Sequence, residues 1–364
     1  MSHSEQNHTL KSEYFSTLDG FRGLAAIFIL CFHSMFPIFS ALWIGVPMFF
    51  VLSGFLITRI LIQEKNSPDF LKTFYLKRAL RIFPIYYLAL LISVVWGMLV
   101  NADLSKLPLF LIYLQNFTIS NNVLPDYCNG IMNHTWSLSS EEIFYVFWPL
   151  LILIIPTQKI RWLIIFIGVA CLLYKIILLS FFYNEFTSQL LQLSLAGNLD
   201  ALMAGSFLGF LSLEKAFFDQ KYFPWKIFIP SICLLVAVVI TNNIDFVNSK
   251  FLAIAKATLS VVAVVVSYFL IWFVSRENST SFIHLVFRMR FLQFTGKISY
   301  GIYLYHALVF GITASCVYHF KLQVNAIPLF LFELLITYLM AVVSWYFIEK
   351  PILRLKNKFQ YSKI

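Results

Sequence analysis

Apolar residues fall in runs of about 18 or more along most of the chain, separated by short clusters of polar and basic residues. Runs of that length let a helix cross about 30 Å of hydrocarbon. Ten such runs, roughly 18–39, 42–63, 77–100, 136–156, 161–183, 189–212, 225–241, 251–274, 296–319 and 326–348, predict an all-α polytopic membrane bundle of ten transmembrane helices. An even number of spans places both termini on one side, and basic residues place that side in the cytoplasm. Lys11, Arg22, Arg59, Lys65, Lys72, Lys77, Arg78, Arg81, Lys159, Arg161, Lys215, Lys221, Lys226, Arg276, Arg288, Arg290, Lys297 and the basic stretch 350–363 fall inside, against Lys106, Lys250 and Lys321 outside. Lys175 and Lys256 lie within spans, close enough to an outer end to snorkel.

A further apolar run, 107–119, is too short to span alone, and counting it as a span would put Lys159, Arg161, Arg288 and Arg290 outside. The segment 101–135 is therefore expected to be an outer loop with a re-entrant or interfacial piece. Its Tyr113, Gln115, Asn116 and Tyr127, with Trp136 at its end, are types that meet sugars or lipid headgroups, or simply form an interfacial aromatic belt. Residues 1–16 read as a polar cytoplasmic tail, 17–349 as one membrane domain and 350–364 as a basic cytoplasmic tail. The first apolar run is too long for a signal-peptide core and reads as a retained span.

Composition agrees with the pattern. The chain is 60% hydrophobic and 12% charged, with mean hydropathy +0.80. Soluble domains carry about 25% charged residues, so a soluble fold is excluded. The net charge of +10 sits in the segments between spans, where it sets topology and meets anionic lipid. It does not call for nucleic acid, while a phosphate-rich cytoplasmic ligand fits it well. The five cysteines, Cys31, Cys128, Cys171, Cys233 and Cys316, form no CxxC or Cys/His pattern, so neither a disulfide framework nor a metal is expected.

Ionisable residues inside spans are costly and mark candidate sites. Arg22 and His33 are eleven residues apart, three helical turns plus about 20°, so they share a face about 16 Å apart along the axis. Arg22 falls at the cytoplasmic edge, free to snorkel or pair with Asp19, and His33 falls deep in the outer half. A histidine there is a natural general base, or a hydrogen-bonded packing residue. Arg78 and Arg81 share a helix face at the inner surface, where guanidinium groups suit phosphate, or serve as ordinary positive-inside charge. Glu141 and Glu142, just inside the outer edge, come to a depth similar to His33. Asp200, His306 and Glu333 lie deep; each is a functional candidate or part of a buried pair, among themselves or with Lys256. Arginines inside and a histidine with carboxylates outside suit an enzyme with a phosphate-rich donor, or a proton-coupled transporter.

Six ordered segments sharpen the reading. Arg22 to His33 forms an Arg-x10-His pattern, Gly45 to Ile57 follows, and Arg78-Ala79-Leu80-Arg81 forms Arg-x-x-Arg. Trp136 to Tyr145, reading Trp-Ser-Leu-x-x-Glu with Glu141 as its acid, then Gly296 to His306, which ends Ser299-Tyr300-Gly301-Ile302-Tyr303-Leu304-Tyr305-His306, then Trp345 to Pro351 complete the series. In order and spacing they resemble the acyltransferase 3 family of membrane O-acyltransferases, over nearly the whole chain. Asn198 departs from that pattern: many similar sequences carry Arg two residues before the aspartate of the sixth helix.

The resemblance implies an acyl-CoA donor, usually acetyl-CoA, bound from the cytoplasm, and an acceptor hydroxyl on a surface glycan or lipid-linked sugar. It implies a multi-pass protein of the bacterial inner (cytoplasmic) membrane, in the stand-alone form without a C-terminal hydrolase-like domain. Arg78 and Arg81, with Arg22, would hold the donor phosphates; His33, Glu141 and Arg22 would serve catalysis, with Glu141 orienting His33; Trp136, Asn116 and Asp200 would meet the acceptor. A proton-coupled transporter using the intramembrane His, Glu and Asp residues is the alternative.

Overall fold

The structure is a computed structural model that describes residues 15–34, 36–118, 130–182, 184–214, 226, 229–233, 249–275 and 281–359. Among these, the regular elements are helices, as an apolar chain must form when lipid offers its backbone no hydrogen bonds. They are α1 Ser16–Phe32, α2 Gly45–Glu64, α3 Phe70–Leu99, α4 Leu107–Leu111, α5 Trp136–Ile154, α6 Thr157–Phe181, α7 Glu185–Leu193 and α8 Leu195–Leu211. There follow α9 Ser249–Val274, α10 Phe282–Phe287, α11 Arg290–Lys297, α12 Ser299–His319, α13 Ala326–Ser344 and α14 Lys350–Leu355. A π turn, Trp345–Glu349, joins the last two.

Among the described residues six helices are long and apolar enough to cross a membrane: Leu42–Glu64, Phe70–Leu99, Asn133–Ile154, Thr157–Phe181, Ser299–His319 and Ala326–Leu355. They match the second, third, fourth, fifth, ninth and tenth runs. The sixth run is divided at Ser194, which caps α8 by accepting from the Gly197 amide. The seventh run, 225–241, lies largely outside the described residues.

The first run differs most. Instead of continuing to 39, α1 stops at Phe32 and His33 is its C-cap. Pro37 supplies the reason, because it has no amide to bond the His33 carbonyl and holds Phe36 extended (φ −98°, ψ 116°). His33 consequently lies exposed at the helix end, with no further turn of α1 beyond it.

The centre of the bundle is built by close backbone approach. α2 packs on α8 and α1 on α11. A Cβ on Gly205 would lie 1.9 Å from the Val51 carbonyl oxygen, and one on Gly296 would lie 1.8 Å from that of Asp19. Only glycine permits either contact. α12 then bridges α1, α3 and α13. The short run 107–118 is folded against the start of α5. Tyr86 Oη donates to the Phe110 carbonyl (2.8 Å), Ser139 Oγ to the Tyr113 carbonyl (2.6 Å), and Asn116 Nδ2 to Ser140 Oγ (2.9 Å). Tyr113, at φ 58°, reverses the chain there and stacks on Tyr86 with centroids 4.1 Å apart.

Candidate active site

α1, α2, α3, α5 and α12 line a pocket of about 750 Å³, counting the space at its open mouth. At one end its wall carries Arg22, Arg78 and Arg81, so the structure brings together the three arginines singled out in the sequence. Arg22 lies 3.3 Å from Asp19 one turn earlier. Arg78 instead lies over the Tyr145 ring, 3.8 Å from its centroid, with its Nε buried and unpartnered. Among the described residues neither Arg78 nor Arg81 has a carboxylate within ion-pair distance. Half-buried guanidinium groups held in no ion pair can take an anionic ligand, and their planar forks suit phosphate.

A further cation faces them. Lys356 begins the 3-10 turn Lys356–Lys358, which follows α14 and packs on α3. Burial, then the like charges of Arg81, Arg78, Lys77 and Arg22, push its ammonium down to about 8. In the sequence Lys356 is one of several basic residues of the tail, set apart only by its distance from Pro351, about a turn and a half of helix.

Glu141 lines the pocket beyond the arginines. It accepts a 2.6 Å hydrogen bond from Ser53 Oγ, which in turn accepts from Tyr145 Oη at 3.0 Å. The expected contact between Glu141 and His33 is not formed: no hydrogen bond joins them. One turn before Glu141 on α5, Ser137 Oγ meets Tyr303 Oη at 2.6 Å, and Tyr303 Oη donates to the His134 carbonyl at 2.5 Å. Both side chains of this layer line the pocket, and His306 follows Tyr303 one turn along α12.

His33 has other neighbours. Its Nδ1 donates to the Ile29 carbonyl (3.0 Å), and its ring lies 4.8 Å from that of His306. His306 lies 4.9 Å from His134. Because a carbonyl only accepts, His33 Nδ1 holds the proton and the neutral ring keeps its lone pair on Nε2. Ile29, one turn earlier on α1, lines the pocket, as does Tyr303, one turn earlier on α12. The sequence marks His306 by its depth and as the end of an ordered motif, but gives no sign of His134, which stands in a short polar stretch.

Of the expected acceptor residues, Trp136 packs edge-on against Phe50, a pocket residue, with centroids 6.1 Å apart. Asn116 is buried at the start of α5, bonded to Ser140. Asp200 is buried away from the pocket in a 2.6 Å ion pair with Lys175. Lys175 thus turns inward; the expected snorkelling gives way to a carboxylate within reach. Glu333 accepts from Thr313 on α12. Among the described residues no group of His, Cys, Asp and Glu has metal-binding geometry.

Comparison with known proteins gives a consistent result. Residues 15–349 match the family described as Acyltransferase domain. A Staphylococcus aureus (strain COL) protein with the provisional name O-acetyltransferase is 28% identical over 365 residues, 94% of this chain and 58% of the relative. The O-acetyltransferase OatA of Staphylococcus aureus (strain NCTC 8325 / PS 47) is 26% identical over 362 residues, 93% of this chain and 57% of the relative. The chain thus spans somewhat over half the length of these relatives. No solved structure matches it.

Proposed function

Because the chain belongs to the acyltransferase 3 family, we propose that it is a membrane O-acyltransferase, carrying acetyl from cytoplasmic acetyl-CoA to a sugar hydroxyl of a surface glycan. The observation that carries this reading is the pocket itself. Its arginine end offers two guanidinium groups held in no ion pair, and its wall leads along α1 and α12 toward His33 and His306. Arg78, Arg81, Arg22 and Lys356 hold the donor's phosphates at the cytoplasmic face. The pantetheine arm, long and uncharged, runs along the apolar wall of Ile29, Val46, Phe49 and Phe50, past Glu141 and Ser53.

The thioester then lies near the Ser137–Tyr303 layer, below the histidines. His33 Nε2, with its lone pair free, either takes the acceptor's proton or first accepts the acyl group. Glu141 serves the donor side, where its bond from Ser53 and its place near Arg78 shape the pocket. The acceptor class is a lipid-linked sugar or a polysaccharide such as O-antigen, capsule or exopolysaccharide, reaching His33 from the bacterial membrane's outer face. The OatA name assigns O-acetyl transfer to that relative and supports acetyl as the group moved.

The test is the His33→Ala protein. It should bind acetyl-CoA as the wild type does, by calorimetry in lipid nanodiscs, and form no glycan esters. Undiminished ester formation by that variant would refute the reading.

A further inference from the structure

Two histidines, not one, stand one helical turn beyond the pocket-lining Ile29 and Tyr303, each with a nitrogen free of a proton. His306 Nδ1 donates to the Tyr303 carbonyl at 2.6 Å, as His33 Nδ1 donates to that of Ile29 at 3.0 Å. Each backbone carbonyl fixes the same tautomer, so each neutral ring keeps an Nε2 lone pair. The rings lie 4.8 Å apart between centroids. His306 is 0% exposed, and its Nε2 has no hydrogen-bond partner. Leaving such a nitrogen unpaired in a buried place is costly. That cost falls away when a ligand supplies an O–H donor at this point.

Thioester-to-hydroxyl transfer by way of an imidazole asks for two lone pairs. One attacks the acyl carbon, and the other receives the hydroxyl proton. A single ring with only Nε2 free cannot do both, because once acylated it has no lone pair left for a proton. A second ring at contact distance can.

We propose that the two histidines divide the reaction: His33 Nε2 carries the acyl group, and His306 Nε2 is the base for the acceptor. The proposal rests on the acyl-transfer reading above and resolves the two roles that reading leaves to His33. In the first half, His33 Nε2 attacks the thioester carbon, a C–N bond forms, and the C–S bond breaks with its electron pair leaving on the CoA sulfur. In the second, the acceptor oxygen attacks that carbon while its proton passes to His306 Nε2. The C–O bond forms, the C–N bond breaks, and the pair returns to His33. The proton held on His306 balances the one that the thiolate takes up in becoming CoA thiol. Exposure sets the assignment. The exposed His33 ring can offer an acyl group to a bulky glycan, and the enclosed His306 needs only to meet its hydroxyl.

The division predicts a partial reaction that needs no acceptor. The full chain in nanodiscs, given acetyl-CoA and isotopically labelled CoA alone, should pass label into acetyl-CoA. His33→Gln should abolish this exchange. His306→Gln and His306→Asn should exchange at a rate close to the wild type's, which also shows them folded. In cells those two variants should lose glycan esters by about 100-fold or more, the contribution of a general base. Normal ester formation by the His306 variants would overturn the proposal, as would loss of exchange in both of them. A wild type that forms esters without exchange would overturn the division alone. A wild type that does neither would contradict acyl transfer itself, and the division with it.

Discussion

Arg78 and Arg81 carry the donor-binding claim at the level of single side chains. A charge-assisted contact to phosphate contributes about 1.5–3 kcal/mol, so Arg78→Ala or Arg81→Ala should weaken CoA binding about 10- to 100-fold by calorimetry. Dephospho analogues of CoA should show a smaller loss. Lys356 adds a pH signature. In the free protein its ammonium titrates near 8, held down by burial and by Arg81, Arg78, Lys77 and Arg22. Below that pH it attracts phosphate; as pH rises through it the charge goes, unless bound phosphate holds the proton on. CoA affinity should therefore fall above about pH 8, and Lys356→Met should lower affinity at pH 7 and flatten the fall. A pH profile unchanged by that substitution would remove Lys356 from the site. The arginines were legible in the sequence because three-residue spacing on one helix fixes a shared face. The true partners of His33 and Glu141 were not. Helix rise gives depth, but it does not say which neighbour a side chain turns toward, and Glu141 turns to Ser53.

Packing of helix on helix accounts for what lies outside the pocket. Lys175 of α6 and Asp200 of α8 form a buried pair, and removing one partner strands a charge in the membrane interior. Asp200→Asn alone should cost about 3–5 kcal/mol in unfolding, whereas Lys175→Met with Asp200→Leu should recover most of it. Because the pair lies away from the pocket, the double variant should still form glycan esters. Gly205→Val should fail to accumulate folded protein, because the α2 backbone already occupies the space its side chain would need. Six of the spans were readable from length and hydropathy alone. The end of α1 was readable only from Pro37, a local backbone effect that a hydropathy window averages away. The short run 107–118 shows the same limit. Its polar residues look like a surface set in the sequence, yet Asn116 is buried against α5, since paired amides are as compatible with a bundle interior as with sugar.

Taken as one molecule, the protein is a membrane bundle with cations gathered at one end of a pocket and three histidines beyond the other. The ordered motifs make the family legible in the sequence, since six weak signals in one order are jointly specific. Their convergence was not legible. Arg22, Arg78, Glu141 and Tyr303 are distant in sequence and meet only because glycine contacts bring the helices close. The measurement that bears most directly on the whole account is mass spectrometry of surface glycans from three strains: one without the protein, one with the wild type and one with His33→Ala. Alkali-labile acetyl esters that appear only with the wild type are the predicted result. Identical glycans in all three strains, with the proteins present in the membrane, would contradict it.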